Sequence, residues 1–346
     1  MKKKLLIWIP IACLLMGCGS ASKDAALKLT AGQTAFDVGD YAVALSNFKE
    51  AVELSPERDT YRALGILYIQ TGKYPEAEQA FLDALASSGG FINDVDIDLN
   101  EYLAKAYYLN AEYSKADEVY TSLLTVKPKI TKWYYSRALC RLYLKQRTEA
   151  EEDFAKYTAA DPGNVDKYIQ IFYDMKNAGF DTDAVSYLTT VFNEREKSLS
   201  DYDKGRICYY LENYSDARVY LEKAKDMSKP DTILMLGKTY EAIADYNYAA
   251  SLYNSYLSDK GNSAGVYNQL GVCRMKMGDY EAAKIAFASG LKLEDDEWKQ
   301  ELLFNEAIAY EYLHEYSTAL TKFESYLFLY PQDEAAMHEY TFLKSR

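Results

Sequence analysis

Side chains able to act as acids, bases, nucleophiles or metal ligands are few in this chain of 346 residues, and fewer still stand together. The two histidines, His314 and His338, lie near the carboxyl end without a partner in sequence. General acid–base catalysis needs a group held within hydrogen-bond reach of a reacting atom, so a solvated or capping role is expected for both. Cys140, Cys208 and Cys273 are far apart and form no CxxC pair, and they read as small buried residues rather than a disulfide framework or a metal site. Glycine-rich phosphate loops and HExxH are missing. The acids of Asp94-Val95-Asp96-Ile97-Asp98 could converge on calcium. Yet Leu99 stands where such a loop needs glycine, and Lys105 where it needs the late glutamate. A helix start favoured by negative charge explains the string better. No catalytic residue, metal or cofactor is expected, and the chain does not read as an enzyme.

One thiol stands apart. Lys2, Lys3 and Lys4 precede an apolar run, Leu5 to Met16, which is too short to anchor stably across a bilayer and reads as a signal peptide. The run ends in Leu15-Met16-Gly17-Cys18, which resembles the lipobox of bacterial lipoproteins, where cleavage precedes the cysteine and its thiol is lipidated. The resemblance implies that Cys18 becomes the first mature residue and holds the protein to the bilayer through its acyl chains, each buried methylene contributing roughly 0.8 kcal/mol. An ordinary secretory signal or an uncleaved anchor is the alternative. The expected organisation is a signal at 1–17, the lipidated cysteine and a short linker at 18–24, repeats at 25–333 and a cap at 334–346. Removing the signal leaves 36 basic and 52 acidic side chains, a net charge of −16. Such a surface repels nucleic acid and anionic lipid.

Just 7 Pro and 17 Gly favour helix, and a step near 34 residues orders nearly all of the rest. Alanine recurs at Ala44, Ala77, Ala116, Ala150, Ala184, Ala217, Ala249, Ala283 and Ala319. Four residues on, one helical turn later, comes Phe48, Phe81, Tyr120, Phe154, Leu188, Leu221, Tyr253, Phe287 or Phe323. Twelve residues before each alanine stands Gly32, Gly65, Ala104, Ala138, Phe172, Gly205, Gly237, Gly271 or Ala307, small in all but the fifth set. Three residues before it, tyrosine recurs at 41, 74, 113, 214, 246, 280 and 316, with Arg147 and Asp181 as exceptions, often after a turn such as Gly-Asp.

This pattern resembles the tetratricopeptide repeat, with closing prolines at Pro56, Pro128, Pro162 and Pro331. The resemblance implies an all-α fold, an α-α superhelix or solenoid of about nine helical hairpins plus a C-terminal capping helix. Repeats are expected to start near 25, 58, 97, 131, 165, 198, 230, 264 and 300. The fifth is expected to pack more loosely, Ser87 to Phe91 to form a loop, and Met337, Tyr340, Phe342 and Leu343 to cover the last hairpin. The recurring tyrosines are expected to fill the seam between the helices of a hairpin.

Tetratricopeptide domains that grip the carboxyl terminus of chaperones use a lysine, asparagine and arginine clamp. The corresponding places hold Leu29, Gln33, Ala63, Asp98 and Tyr102, so docking of that kind is not expected. The family otherwise lines its concave face with positions 2, 5, 9 and 12 of each first helix. In repeats three to six these include Lys105, Tyr108, Lys132, Tyr135, Leu142, Tyr173, Tyr202, Arg206 and Tyr209. Such an aromatic and basic wall suits an extended peptide, acidic residues included. The expected function is a scaffold for protein or peptide partners in the cell envelope, on the outer face of the cytoplasmic membrane or on the outer membrane of a two-membrane bacterium. A pilus or outer-membrane assembly factor and a cell-wall glycan binder are the alternatives.

Overall fold

The computed structural model describes residues 20–87, 93–259 and 262–345. They form nineteen helices and, among the described residues, no strand. The chain divides into two compact units, Met1–Pro162 and Gly163–Arg346. The first holds four hairpins: α1 (Ser20–Asp37) with α2 (Tyr41–Leu54), α3 (Arg58–Gln70) with α4 (Tyr74–Ala86), α5 (Asp94–Leu109) with α6 (Tyr113–Val126), and α7 (Thr131–Tyr143) with α8 (Arg147–Ala159). The second holds five: α9 (Val165–Asn177) with α10 (Asp181–Arg195), α11 (Asp201–Tyr210) with α12 (Tyr214–Ala224), α13 (Pro230–Ala242) with α14 (Tyr246–Asp259), α15 (Ala264–Lys276) with α16 (Tyr280–Leu291), and α17 (Lys299–Tyr312) with α18 (Tyr316–Leu329). A final helix, α19 (Glu334–Lys344), follows. The two helices of each hairpin are called A and B below.

Size matching closes each hairpin. All nine repeated alanines are fully buried at 0% exposure, and the bulky residues one turn later are buried with them. The small residue of helix A lies under that bulky ring. A Cβ placed on Gly237 would fall 2.2 Å from the Tyr253 ring, and one on Gly271 would fall 2.3 Å from Phe287. The fifth repeat exchanges the sizes, with Phe172 on α9 and the shorter Leu188 on α10. Both are buried, together with Ala184 and Met175, so this core is closed like the others. Burying each such large apolar side chain contributes roughly 1.5–3 kcal/mol.

Every hairpin turns through one residue in the left-handed region. Gly39, Gly72, Gly179 and Gly278 supply it freely. Ala111, Lys145, Glu212, Ala244 and His314 adopt the same geometry with φ of 61–62° and carry its strain. His314 is therefore a turn residue, its Nδ1 2.8 Å from the Tyr316 hydroxyl, while His338 lies exposed on α19.

The tyrosines that open the B helices pack in the seam of their own hairpin, as Tyr41 does on Phe36 at 5.7 Å, Tyr113 on Tyr108 at 5.6 Å and Tyr214 on Tyr209 at 5.5 Å. Some also reach forward to the A helix of the next repeat. Tyr113 stacks on Tyr143 with centroids 4.6 Å apart, Tyr280 packs on Tyr312 at 5.0 Å, and the Tyr41 hydroxyl accepts a hydrogen bond from Gln70. The cap differs in detail from the one expected: Ala336 and Leu343 are buried against the cluster around Ala307 and Phe323, with Tyr340 beside them. Met337 and Phe342 point outward instead, because one helix can turn only a single stripe toward the hairpin it covers.

Candidate functional site

The A helices present side chains that the small and bulky columns do not use, and these are the candidates for contact with a partner. In the first unit Lys132 on α7 forms an ion pair with Glu101 on α5. Lys105 is half-buried on α5, and burial lowers its pKa against the opposing pull of Glu101. Tyr108 meets Tyr113 and Tyr143 edge-on, at 5.6 and 6.0 Å, in a three-ring cluster. Tyr135 packs on Tyr157 at 4.9 Å and on Phe154 at 6.1 Å. Leu142 has 0% exposure and leaves the candidate set. It stands in the column of Tyr108, whose longer side chain reaches the surface where the isobutyl group stops short. It contributes to the core and offers no surface to a ligand.

In the second unit Tyr173 is 43% exposed and meets Tyr210 edge-on at 5.5 Å. Arg206 on α11 lies over the Tyr202 ring at 5.4 Å. It pairs with Asp166 on α9 and, at 3.5 Å, with Asp203. The expected basic wall is therefore largely neutralised at Lys132 and Arg206, each held by an acid of its own unit.

Tyr209 leads to a feature that sequence reasoning missed. With Lys238, Glu241 and Ala242 of α13, Tyr246 of α14, and Gln269 and Lys276 of α15, it lines an open pocket of about 360 Å³. Burial pushes the Tyr209 hydroxyl up to about 12 and lowers Lys238, with Glu241 partly opposing the latter. Burial also raises Glu241, whose Oε1 accepts a hydrogen bond of 2.6 Å from the Tyr253 hydroxyl. Tyr253 occupies a bulky-column position, and its hydroxyl needs this acceptor. Among the described residues neither Lys238 nor Lys276 is ion-paired. Lys238 and Glu241 stand at positions 9 and 12 of the seventh repeat, so the same positional rule carried one repeat further finds them.

Three other sequence readings fall as follows. The acids of 94–98 open α5: Asn93 caps it, with its side chain accepting from Val95 and Asp96 N–H. Asp94 pairs with Lys127 at 2.5 Å, Asp96 with Arg58 at 3.5 Å and Asp98 with Arg62 at 2.6 Å. Cys18 and its surroundings, and residues 88–91 of the expected loop, lie outside the described residues. Cys140, Cys208 and Cys273 are buried free thiols, and burial holds Cys208 up at about 11.

Models of the tetratricopeptide repeat match residues 29–90 and 264–297. Those segments thus carry tetratricopeptide repeats, and the helical hairpins of each unit have the fold of that repeat. Yeast Tom70 is similar in structure, with a TM-score of 0.51 and 15% identity over 93% of this chain and 88% of Tom70, which concerns the fold alone. A tetratricopeptide repeat protein from Parabacteroides merdae ATCC 43184 gives a TM-score of 0.42 at 18% identity over 82% of this chain and 99% of its own. A MamA structure from Desulfovibrio magneticus RS-1 gives 0.43 at 17% identity over 53% and 99%. No curated protein matches the chain. Among the described residues no helix is long and apolar enough to cross a membrane.

Proposed function

We infer that this protein is a non-catalytic scaffold that holds segments of other proteins against its A helices while lipidated at Cys18 to a bacterial envelope membrane. The observation that carries the reading is the set of polar and aromatic groups left over once the repeats are packed. Tyr173, Tyr143 and Tyr312 keep more than a third of their surface exposed, and Lys238 and Lys276 converge on a pocket with Tyr209 and Gln269. Tyrosine is enriched among the residues that anchor partners. The three tyrosines also pack on a ring of the neighbouring repeat, and it is their remaining exposed surface, with the two lysines, that stacking leaves free. For the anchor, the support is the lysine-led apolar run ending in Leu15-Met16-Gly17-Cys18. Such an anchor supports a location on the outer face of the cytoplasmic membrane, or on the outer membrane where there are two.

A photoreactive residue introduced at Tyr173 or Gln269 in cells tests the reading, with Val219 and Ile285 on B helices as controls. Illumination should give discrete protein adducts from the A-helix positions. Adducts from the B-helix positions alone would contradict it. For the anchor, cells labelled with a fatty acid should mark the parent chain and leave Cys18→Ala unmarked; equal labelling would refute lipidation at that cysteine.

A further inference from the structure

Among the described residues, two cations without an ion pair, Lys238 and Lys276, meet in the pocket between α11, α13 and α15, and Lys105 on α5 is likewise unpaired. Lys132 has Glu101, Arg206 has Asp166 and Asp203, and Lys284 on α16 has Glu281 and Glu315. In a chain of net charge −13, such pairing is the ordinary outcome. Lys238 and Lys276 escape it while lining the same cavity of about 360 Å³. Glu241 is the one acid in the lining, and it faces inward, where Tyr253 donates to it at 2.6 Å and Cys273 lies beside it. It offsets Lys238 in part.

The other polar groups of the lining can donate: the Gln269 amide, and the hydroxyls of Tyr209 and Tyr246. The lowered Lys238 shows an ammonium short of solvation, a state that an anionic ligand relieves. We propose that this pocket seats a side-chain carboxylate of an extended acidic peptide, held between the Lys238 and Lys276 ammonium groups with the Gln269 amide as a third donor. The reading rests on the scaffold function inferred above and names the partner chemistry of one site on it. Because the cavity is open and lined by three successive A helices, a chain can pass through it. A side chain of a continuous peptide satisfies it without a free terminus.

The probe is a fluorescent ten-residue peptide alternating glutamate and leucine, amidated at its carboxyl end, titrated against the full chain by anisotropy. Its glutamine counterpart is the neutral control, and the glutamine peptide with a free carboxylate distinguishes a terminal from a side-chain source. The glutamate peptide should bind, with Lys238→Gln and Lys276→Gln each weakening it roughly tenfold, as expected for one charge-assisted hydrogen bond to a carboxylate. Salt should weaken it further in the parent than in the double variant. Since neither lysine is ion-paired, both variants should melt with the parent, which separates lost binding from lost fold. Equal anisotropy changes for the glutamate and amidated glutamine peptides would overturn the proposal, as would unchanged affinity in both lysine variants. Binding confined to the free-carboxylate peptide would overturn the side-chain assignment. None of these failures touches the scaffold reading, which stands or falls on adducts in cells.

Discussion

Arg137 and Asp153 in the fourth repeat occupy the same two places of the hairpin as Leu236 and Leu252 in the seventh. In the fourth, the Arg137 guanidinium donates to both Asp153 oxygens at 2.7 and 2.8 Å and to Thr121 at 3.0 Å. Arg141 adds a bond to Asp153 at 2.9 Å and another to Asp117 at 2.9 Å. Asp153 has no exposed surface. In the seventh, the pair is apolar and buried. The ninth repeat reverses the charges, with Glu306 accepting from Lys322 at 2.8 Å. In these three repeats the two places hold a matched pair, ionic in the fourth and ninth and apolar in the seventh.

The largest expected effect follows from breaking that match. Asp153→Ala strands Arg137 in the interior and should cost about 3–5 kcal/mol, read from denaturant unfolding. Replacing both Arg137 and Asp153 by leucine should return the fourth repeat to the state of the seventh, within about 1 kcal/mol of the parent or more stable. A double variant as unstable as the single one would show that the ion network, and not the matching, holds α7 to α8. In the seventh repeat, Leu252→Ala should cost about 2–5 kcal/mol through lost burial and a cavity.

Smaller effects sharpen the comparison at the turns and in the size columns. Ala217→Leu should cost roughly 1–3 kcal/mol by overpacking a column with no room. Its melting curve, set beside the parent's, checks this. Glu212→Gly should stabilise by about 1 kcal/mol, because the residue at φ 61° is released from left-handed strain. Gly72→Ala, at φ 73°, should destabilise by a similar amount. If both changes lower the melting temperature, the turn geometry is wrong.

Protonation separates the seventh repeat from the fourth further. Burial raises the Glu241 carboxyl above its unfolded value, so the fold holds that proton more tightly than the unfolded chain does. Its stabilising contribution is complete below the unfolded carboxylate pKa, about 4.3. It is lost as pH rises through the folded value. Glu241→Gln should therefore flatten the decline of stability from the acid range toward neutrality, measured as unfolding midpoints from pH 4 to 7. An unaltered pH profile would show that Glu241 is not the group responsible.

The same contrast explains what the residues disclosed by themselves. The alanine, small and bulky columns were legible because size at a fixed step is a local property of the chain, and it gave nine hairpins and a last helix. The fifth repeat misled because Phe172 was read without the shorter Leu188 that compensates it. Leu142 misled because position tells which way a side chain points and not whether it is long enough to emerge. The pairing of Lys132 with Glu101, and of Arg206 with Asp166, spans 31 and 40 residues. Nothing short of the stacked repeats brings those partners together. The pocket at Lys238 and Lys276 depends on which cations remain unpaired, and that is known only after the paired ones are found.

The central claim is that binding resides on the A helices of this scaffold and is separable from its stacking. Calorimetric titration of a partner captured by crosslinking tests it most directly, against three chains of equal stability. They are the parent, the A-helix variant Tyr173→Ala with Lys276→Gln, and the B-helix variant Val219→Ser with Ile285→Ser. The A-helix variant should lose about 1–3 kcal/mol of affinity for each anchor removed, while the B-helix variant binds as the parent does. Full affinity in the A-helix variant, with loss in the B-helix variant, would contradict the claim and move the binding surface to the opposite face of the hairpins.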